Sequence, residues 1–179
     1  MSADGDGNVA EGDGNVAEVT NVVLAGLGGQ GVIKASDILA DAALRAGFDV
    51  KKAEVHGMSQ RGGSVTSDVR FGAKVLSPMV PRGEADFLVV LAPSEVEATR
   101  PLLRPGGVLL SPDLVPEASL PNKRSLNVAL LGALSQYLDL PTAALLDAVR
   151  AALPERLHDV NERAFELGRT LVAQQVKMR

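Results

Sequence analysis

An α/β fold, a three-layer sandwich around a mixed, mostly parallel central sheet, is predicted by three observations. Apolar runs of buried-strand character alternate with stretches of helical apolar spacing. A glycine cluster joins the first such run to the first helical stretch, and residues 64–71 alternate apolar and polar side chains like a half-exposed strand. The chain has 179 residues, enough for a domain with a real core, and no linker divides residues 19–179, which read as one folded domain.

The elements follow in order. Residues 21–25, Asn-Val-Val-Leu-Ala, form a buried strand running into glycines. From Gly31 to Arg45 the apolar residues Val32, Ala35, Ile38, Leu39, Ala42 and Ala43 recur at helical spacing, with Gly47 as the stop. A second strand covers 48–54, and the polar stretch 55–63 is a loop. The strand 64–71 turns at Gly72-Ala73 into a short partner at 74–77, a hairpin that makes the sheet mixed. Residues 86–92 are a fully buried strand, Pro93 opens a helix to about Leu103, and Gly106-Gly107 precedes a strand at 108–111. Three helices, over about 126–138, 141–153 and 159–177, complete the chain.

Composition removes several function classes. There is no cysteine, so a disulfide framework, a thiolate nucleophile and a cysteine-bound iron–sulfur cluster are all excluded. The two histidines, His56 and His158, stand far apart, and no metal site is expected. A net charge of -4 gives no nucleic-acid footprint. No apolar run approaches the ~20 residues that span a bilayer, and the acidic N-terminus is no signal peptide, so no membrane partner and a cytoplasmic location are expected.

Residues 1–18 read as a disordered acidic, glycine-rich tail carrying a repeated GDGNVAE. Asp4-x-Asp6-x-Asn8 imitates a calcium loop, but Val9 stands where the sharp turn needs glycine and Asn15 where a bidentate glutamate belongs. The Gly-Asp-Gly there resembles the opening of a thiamine-diphosphate motif, yet no Asn occurs between Asn21 and Asn122 to close it.

Gly26, Gly28 and Gly31 have the G-x-G-x-x-G spacing of a dinucleotide turn, and the fold is in this sense Rossmann-like. Backbone N–H groups at such a strand–helix junction suit a phosphate; tight turning and close packing are the alternative use of the glycines. A nicotinamide version needs an acid after the second strand, and Glu54 is available. However, a second glycine-bearing loop, residues 56–63, should reach the same end of the sheet, which suggests one shared surface.

The string GLGGQG, followed by EVHGMSQRGGSV, VRFG and SP…GEAD, resembles the gamma domain of 2-oxoacid:ferredoxin oxidoreductases. Within that family the chain is similar to the small beta subunits of the indolepyruvate branch. The resemblance resumes at 127–133 and 161–168. It implies a small subunit of a thiamine-diphosphate-dependent enzyme that decarboxylates a 2-oxoacid, an arylpyruvate such as indolepyruvate. The acyl group passes to coenzyme A and electrons reach ferredoxin. Thiamine diphosphate and the iron–sulfur clusters are then expected on a large partner subunit, with no cofactor bound by this chain alone.

The resemblance also implies that Gly26, Gly28, Gly29, Gln30 and Gly31 face a phosphate-bearing ligand or the partner's cofactor edge, with His56, Gln60, Arg61, Gly62 and Gly63 beside them. Arg61 could engage a phosphate or carboxylate bidentately, and His56 and Arg61 are candidates for assisting roles; bracing of the loop is the alternative for both. Ser59 fits turn chemistry, since no triad spacing accompanies it. Two departures stand out: Ala92 replaces an acid after Leu91, and segment 112–125 is short and proline-rich. A self-contained nicotinamide or flavin oxidoreductase and a repurposed, non-catalytic binding module are the competing readings.

Overall fold

The computed structural model describes residues 18–57 and 62–177. The expected disorder of the tail therefore falls, but for Glu18, outside the described residues. Apolar residues in unbroken runs build the centre of the sheet. Strand β1 (Thr20–Leu27) pairs parallel with β4 (Ala85–Val90) and antiparallel with β3 (Ser64–Gly72). Strand β2 (Asp49–His56) pairs antiparallel with β3, and β5 (Leu103–Leu110) parallel with β4, giving five strands in the order β2-β3-β1-β4-β5. Only β3 runs against the other four, so the sheet is mixed and mostly parallel in strand direction. The C-terminal ends of β1, β2, β4 and β5 consequently share one edge.

The hairpin is β2–β3, not the one expected after residue 72. Residues 74–77 form no strand, because β3 already has a partner on each side. His56 lies on β2, opposite Val65, rather than in the loop.

Period-2 alternation sorts the strand side chains between two clusters. Val22 and Leu24 of β1 pack under helices α1 (Val32–Arg45), α3 (Leu126–Leu134), α4 (Thr142–Ala152) and α5 (His158–Lys177). Val23 and Ala25 face the opposite cluster with Leu88 and Val90, covered by Val80 and by Val96 of the one-turn helix α2 (Val96–Thr99). The third layer is thus thin. The helix expected from Pro93 to Leu103 divides into three short turns, because Pro101 cannot donate a backbone hydrogen bond. Regular pairing of β5 resumes at Val108 after an irregularity that spans Gly106, whose φ is 76°. Helix α3 ends at Leu134, where the Ser135 hydroxyl donates to the Gly132 carbonyl at 2.6 Å.

Segment 73–84 is pinned across the thin face by two residues of β3. Arg70 donates to the carbonyls of Ser77 and Met79, and the Asp68 carboxylate accepts the Val80 N–H at 2.8 Å. Burial pushes the Asp68 carboxyl above its ordinary 3.8, against the pull of the Val80 N–H and Arg70. A raised folded pKa gives stability that is complete below the ordinary value and is lost as pH rises through the folded one. Asp68→Asn keeps an acceptor for Val80 and removes the charge. It is expected to be more stable than the parent at pH 7, with the gain vanishing below about pH 4 in urea titrations.

Candidate functional site

The glycine turn between β1 and α1 is built by its own side chain. The Gln30 Oε1 accepts the Leu27 N–H at 2.8 Å, while the Gln30 N–H donates to the Leu27 carbonyl at 3.2 Å. Gly29 and Gly31 both sit at φ 86°, a left-handed conformation that side-chain-bearing residues adopt only at a cost. A Cβ at Gly31 would stand 2.6 Å from the Asn127 Nδ2, and one at Gly26 would stand 2.9 Å from the Gln30 Oε1. These glycines therefore serve close packing and backbone shape together.

The second glycine loop docks directly on the first. The Gly28 N–H donates to the Gly63 carbonyl at 2.9 Å, and a Cβ at Gly28 would meet Gly62 at 3.5 Å. The Ser64 hydroxyl donates to Glu95 at 2.7 Å, tying this loop to the turn after β4. Met58, Ser59, Gln60 and Arg61 lie outside the described residues, so no contact of Gln60 or Arg61 enters the geometry.

Two clefts flank the turn. One, of about 520 Å³, is lined by Gly29–Gly31, Lys34, Lys123, Arg124 and Asn127. The other, of about 360 Å³, is lined by Gly28, Gly29, Lys34, His56 and Val65. Both open at the carboxyl edge of the sheet, where open α/β sheets take ligands. Among the described residues no carboxylate lines either cleft. Lys123 is paired with Glu117, whose hydrogen bond raises the lysine pKa; Lys34 and Arg124 have no salt bridge among the described residues. The net local field is therefore positive in a chain of net charge -4.

Asn127 holds the wall of the larger cleft. Its Nδ2 donates to the Gly31 carbonyl at 3.3 Å, and its Oδ1 accepts the Val128 N–H at 2.9 Å. Composition and periodicity do not mark Lys34, Lys123, Arg124 or Asn127 as site residues. The available signals were the dibasic Lys123-Arg124 pair and the position of Asn127 at the head of a recognisable string.

Glu54 does not occupy the place a dinucleotide site requires. Strand β3 lies between β1 and β2, so the strand carrying Glu54 is not the parallel neighbour of β1. Its carboxylate is held below the usual range, chiefly by a hydrogen bond from Lys52, and it also lies 3.5 Å from the His56 Nε2. Lys52 in turn donates to Asp37 at 2.6 Å. The imidazole of His56 stays more than half exposed beside the smaller cleft. Ala92, the departure after Leu91, is buried and contributes no charge. The short segment 112–125 supplies Lys123 and Arg124. Among the described residues no three His, Cys, Asp or Glu side chains gather as a metal site, and no helix is long and apolar enough to cross a membrane.

Known proteins resemble this chain in sequence and fold. A family model described as pyruvate ferredoxin/flavodoxin oxidoreductase matches residues 21–121. The indolepyruvate oxidoreductase subunit IorB of Thermococcus kodakarensis is 37% identical over 188 aligned positions, covering 83% of this chain and 93% of the relative. IorB of Pyrococcus horikoshii is 36% identical with the same coverage. Among solved structures, the gamma subunit of a keto/oxoacid ferredoxin oxidoreductase from Geobacter sulfurreducens superposes with a TM-score of 0.74 at 26% identity. It covers 87% of this chain and 99% of that one. The family match spans both glycine loops and ends just before the Lys123-Arg124 pair, and the relatives align over nearly their whole length: the chain belongs to the pyruvate ferredoxin/flavodoxin oxidoreductase family.

Proposed function

We propose that this chain is the small subunit of a cytoplasmic 2-oxoacid:ferredoxin oxidoreductase that converts an arylpyruvate such as indolepyruvate to its acyl-coenzyme A. The observation that carries the reading is the likeness to IorB subunits over 93% of their length, combined with two glycine loops locked together beside a cationic cleft. Thiamine diphosphate and iron–sulfur clusters belong to the large partner subunit, which has the cysteines this chain lacks. The coenzyme A released or consumed by the complex carries phosphates, and the larger cleft suits them. It offers backbone N–H groups at a helix start together with Lys34 and Arg124, and no opposing carboxylate among the described residues. Gln60, Arg61 and His56 act from the neighbouring loop on the same ligand or on the partner surface.

The test is reconstitution. The chain mixed with a large subunit of this enzyme class is expected to form a stable heteromer and to support ferredoxin reduction dependent on indolepyruvate and coenzyme A. Neither chain alone should do so. A chain that stays separate in gel filtration, or that binds NAD tightly by calorimetry, would overturn the reading. Arg61→Ala is expected to assemble normally and to lose activity; full activity in that variant removes Arg61 from the site.

A further inference from the structure

Strand β2 ends the sheet, and among the described residues no strand pairs with its outer edge. Its register against β3 tells which backbone groups that edge presents. The Gly57 N–H donates to the Ser64 carbonyl at 2.7 Å, continuing the register in which His56 faces Val65. The Ser67 hydroxyl reaches the Ala53 carbonyl from the same side at 3.4 Å. In an antiparallel strand the N–H and C=O of one residue point the same way, and successive residues alternate. Lys51, Ala53 and Val55 therefore direct their backbone groups to β3. Val50, Lys52, Glu54 and His56 turn theirs outward.

Lysines on an open edge ordinarily discourage pairing. Here the charges select one register. Two copies of β2 that pair antiparallel about a twofold axis bring residues of the same face opposite each other, so the axis must pass through a residue. An axis at Lys51 or Lys52 opposes two lysines, and one at Glu54 opposes two glutamates. Shifts further toward either end shorten the overlap. An axis at Ala53 sets Lys52 of each copy opposite Glu54 of the other, and Val50 opposite His56. On the other face Lys51 lays its stem along Val55, which is 54% exposed in the single chain. The outward-turned residues then close about eight N–H···O bonds.

The surroundings leave room for this pairing. Helix α1 packs chiefly on β3, so three strand spacings would place the two α1 helices about 14 Å apart, beyond the usual contact distance. On the thin face, segment 73–84 is tied to β2 through Asp49, at the end of the strand, by the Val75 N–H at 2.8 Å. Lys52 already pairs with Asp37 and Glu54 of its own chain, which holds its ammonium on the helix-covered face where the second copy's Glu54 would arrive.

We propose that the β2 edge joins two copies of this chain into a twofold dimer with one continuous sheet, centred on Ala53. Lys52 and Glu54 of the two copies alternate in sign around the axis. The strand's own charges, Asp49, Lys51, Lys52 and Glu54, cancel, so the second copy meets no net repulsion from it.

Sedimentation of the full chain is expected to show a dimer whose share rises with concentration. Lys52→Glu and Glu54→Lys should each weaken self-association about tenfold or more, because two opposite-charge pairs become two like-charge pairs. Mixed in equal amounts, the two variants should form a heterodimer near the parent's affinity, since every opposed pair again has opposite signs. A loss of stability within one chain cannot produce that rescue. Glu54→Pro removes an N–H that points outward, so the chain should stay folded by circular dichroism and lose the dimer. A parent chain that stays monomeric overturns the proposal, as does a mixture without heterodimer or a dimer that survives Glu54→Pro. If the parent is monomeric and Glu54→Pro instead weakens assembly with the large subunit, the edge pairs with a strand of that subunit and not with a second copy.

Discussion

Gly168→Ala is expected to destabilise the chain by at least about 3 kcal/mol, seen as a fall of roughly 6–12 °C in the melting temperature. A Cβ at Gly168 would stand 1.8 Å from the Ala129 carbonyl oxygen, and one at Gly132 would stand 2.0 Å from the Phe165 carbonyl oxygen. In both cases the obstacle is backbone, so no side-chain rotation relieves it. The two helices must separate, and Val128, Leu131, Ala164 and Phe165, all nearly fully buried, lose packing together. Gly29→Ala is the contrasting case: its φ of 86° carries strain of roughly 1–2 kcal/mol, but no atom lies within 4 Å of the new methyl. Gly132→Ala should resemble Gly168→Ala, and the double variant should cost less than the sum, since either change alone already parts the helices.

Much of this architecture is legible in local pattern. The apolar runs of β1 and β4 and the helical spacing of α1 mark elements whose burial is periodic, and the structure keeps them within a few residues. Local pattern fails where pairing is decided by distant partners. Residues 74–77 look like a strand, yet β2 reaches β3 across a glycine-bearing loop and takes the open edge first. The helix proposed from Pro93 breaks because Pro101 interrupts it, a signal present in the sequence but outweighed by the apolar spacing around it. The glycine turn was visible as a motif; its cationic wall was not. Lys34 and Arg124 are 90 residues apart and meet only because α3 packs beside α1. Gly132 and Gly168 carried a readable message too, since a glycine within a helix costs about 1 kcal/mol and calls for a packing reason.

Lys34→Gln is expected to lower kcat/KM for coenzyme A in the assembled complex about thirtyfold or more, and to leave the fold as stable as before or slightly more so. The two effects have opposite causes. Lys34 sits in the first turn of α1, where no acidic residue stands and where a positive charge opposes the helix dipole. Its hydrogen bond to the Ala152 carbonyl, at 3.4 Å, is long and exposed. A cation in this place has little structural use, yet it lines both clefts at the glycine turn. Removing it should gain a few tenths of a kcal/mol from the dipole while stripping a charge-assisted contact from a bound phosphate. Gln30→Glu makes the same separation by another route. A glutamate retains an acceptor for the Leu27 N–H, so the turn should persist, but it adds a negative charge between Lys34 and Arg124. Melting temperatures near the parent's, with coenzyme A binding lost in both variants by calorimetry, are the expected result. If both variants instead bind coenzyme A as the parent does, the cleft is not its phosphate site. The glycines would then be explained by the docking of Gly28 on Gly63 and of Gly31 on Asn127 alone.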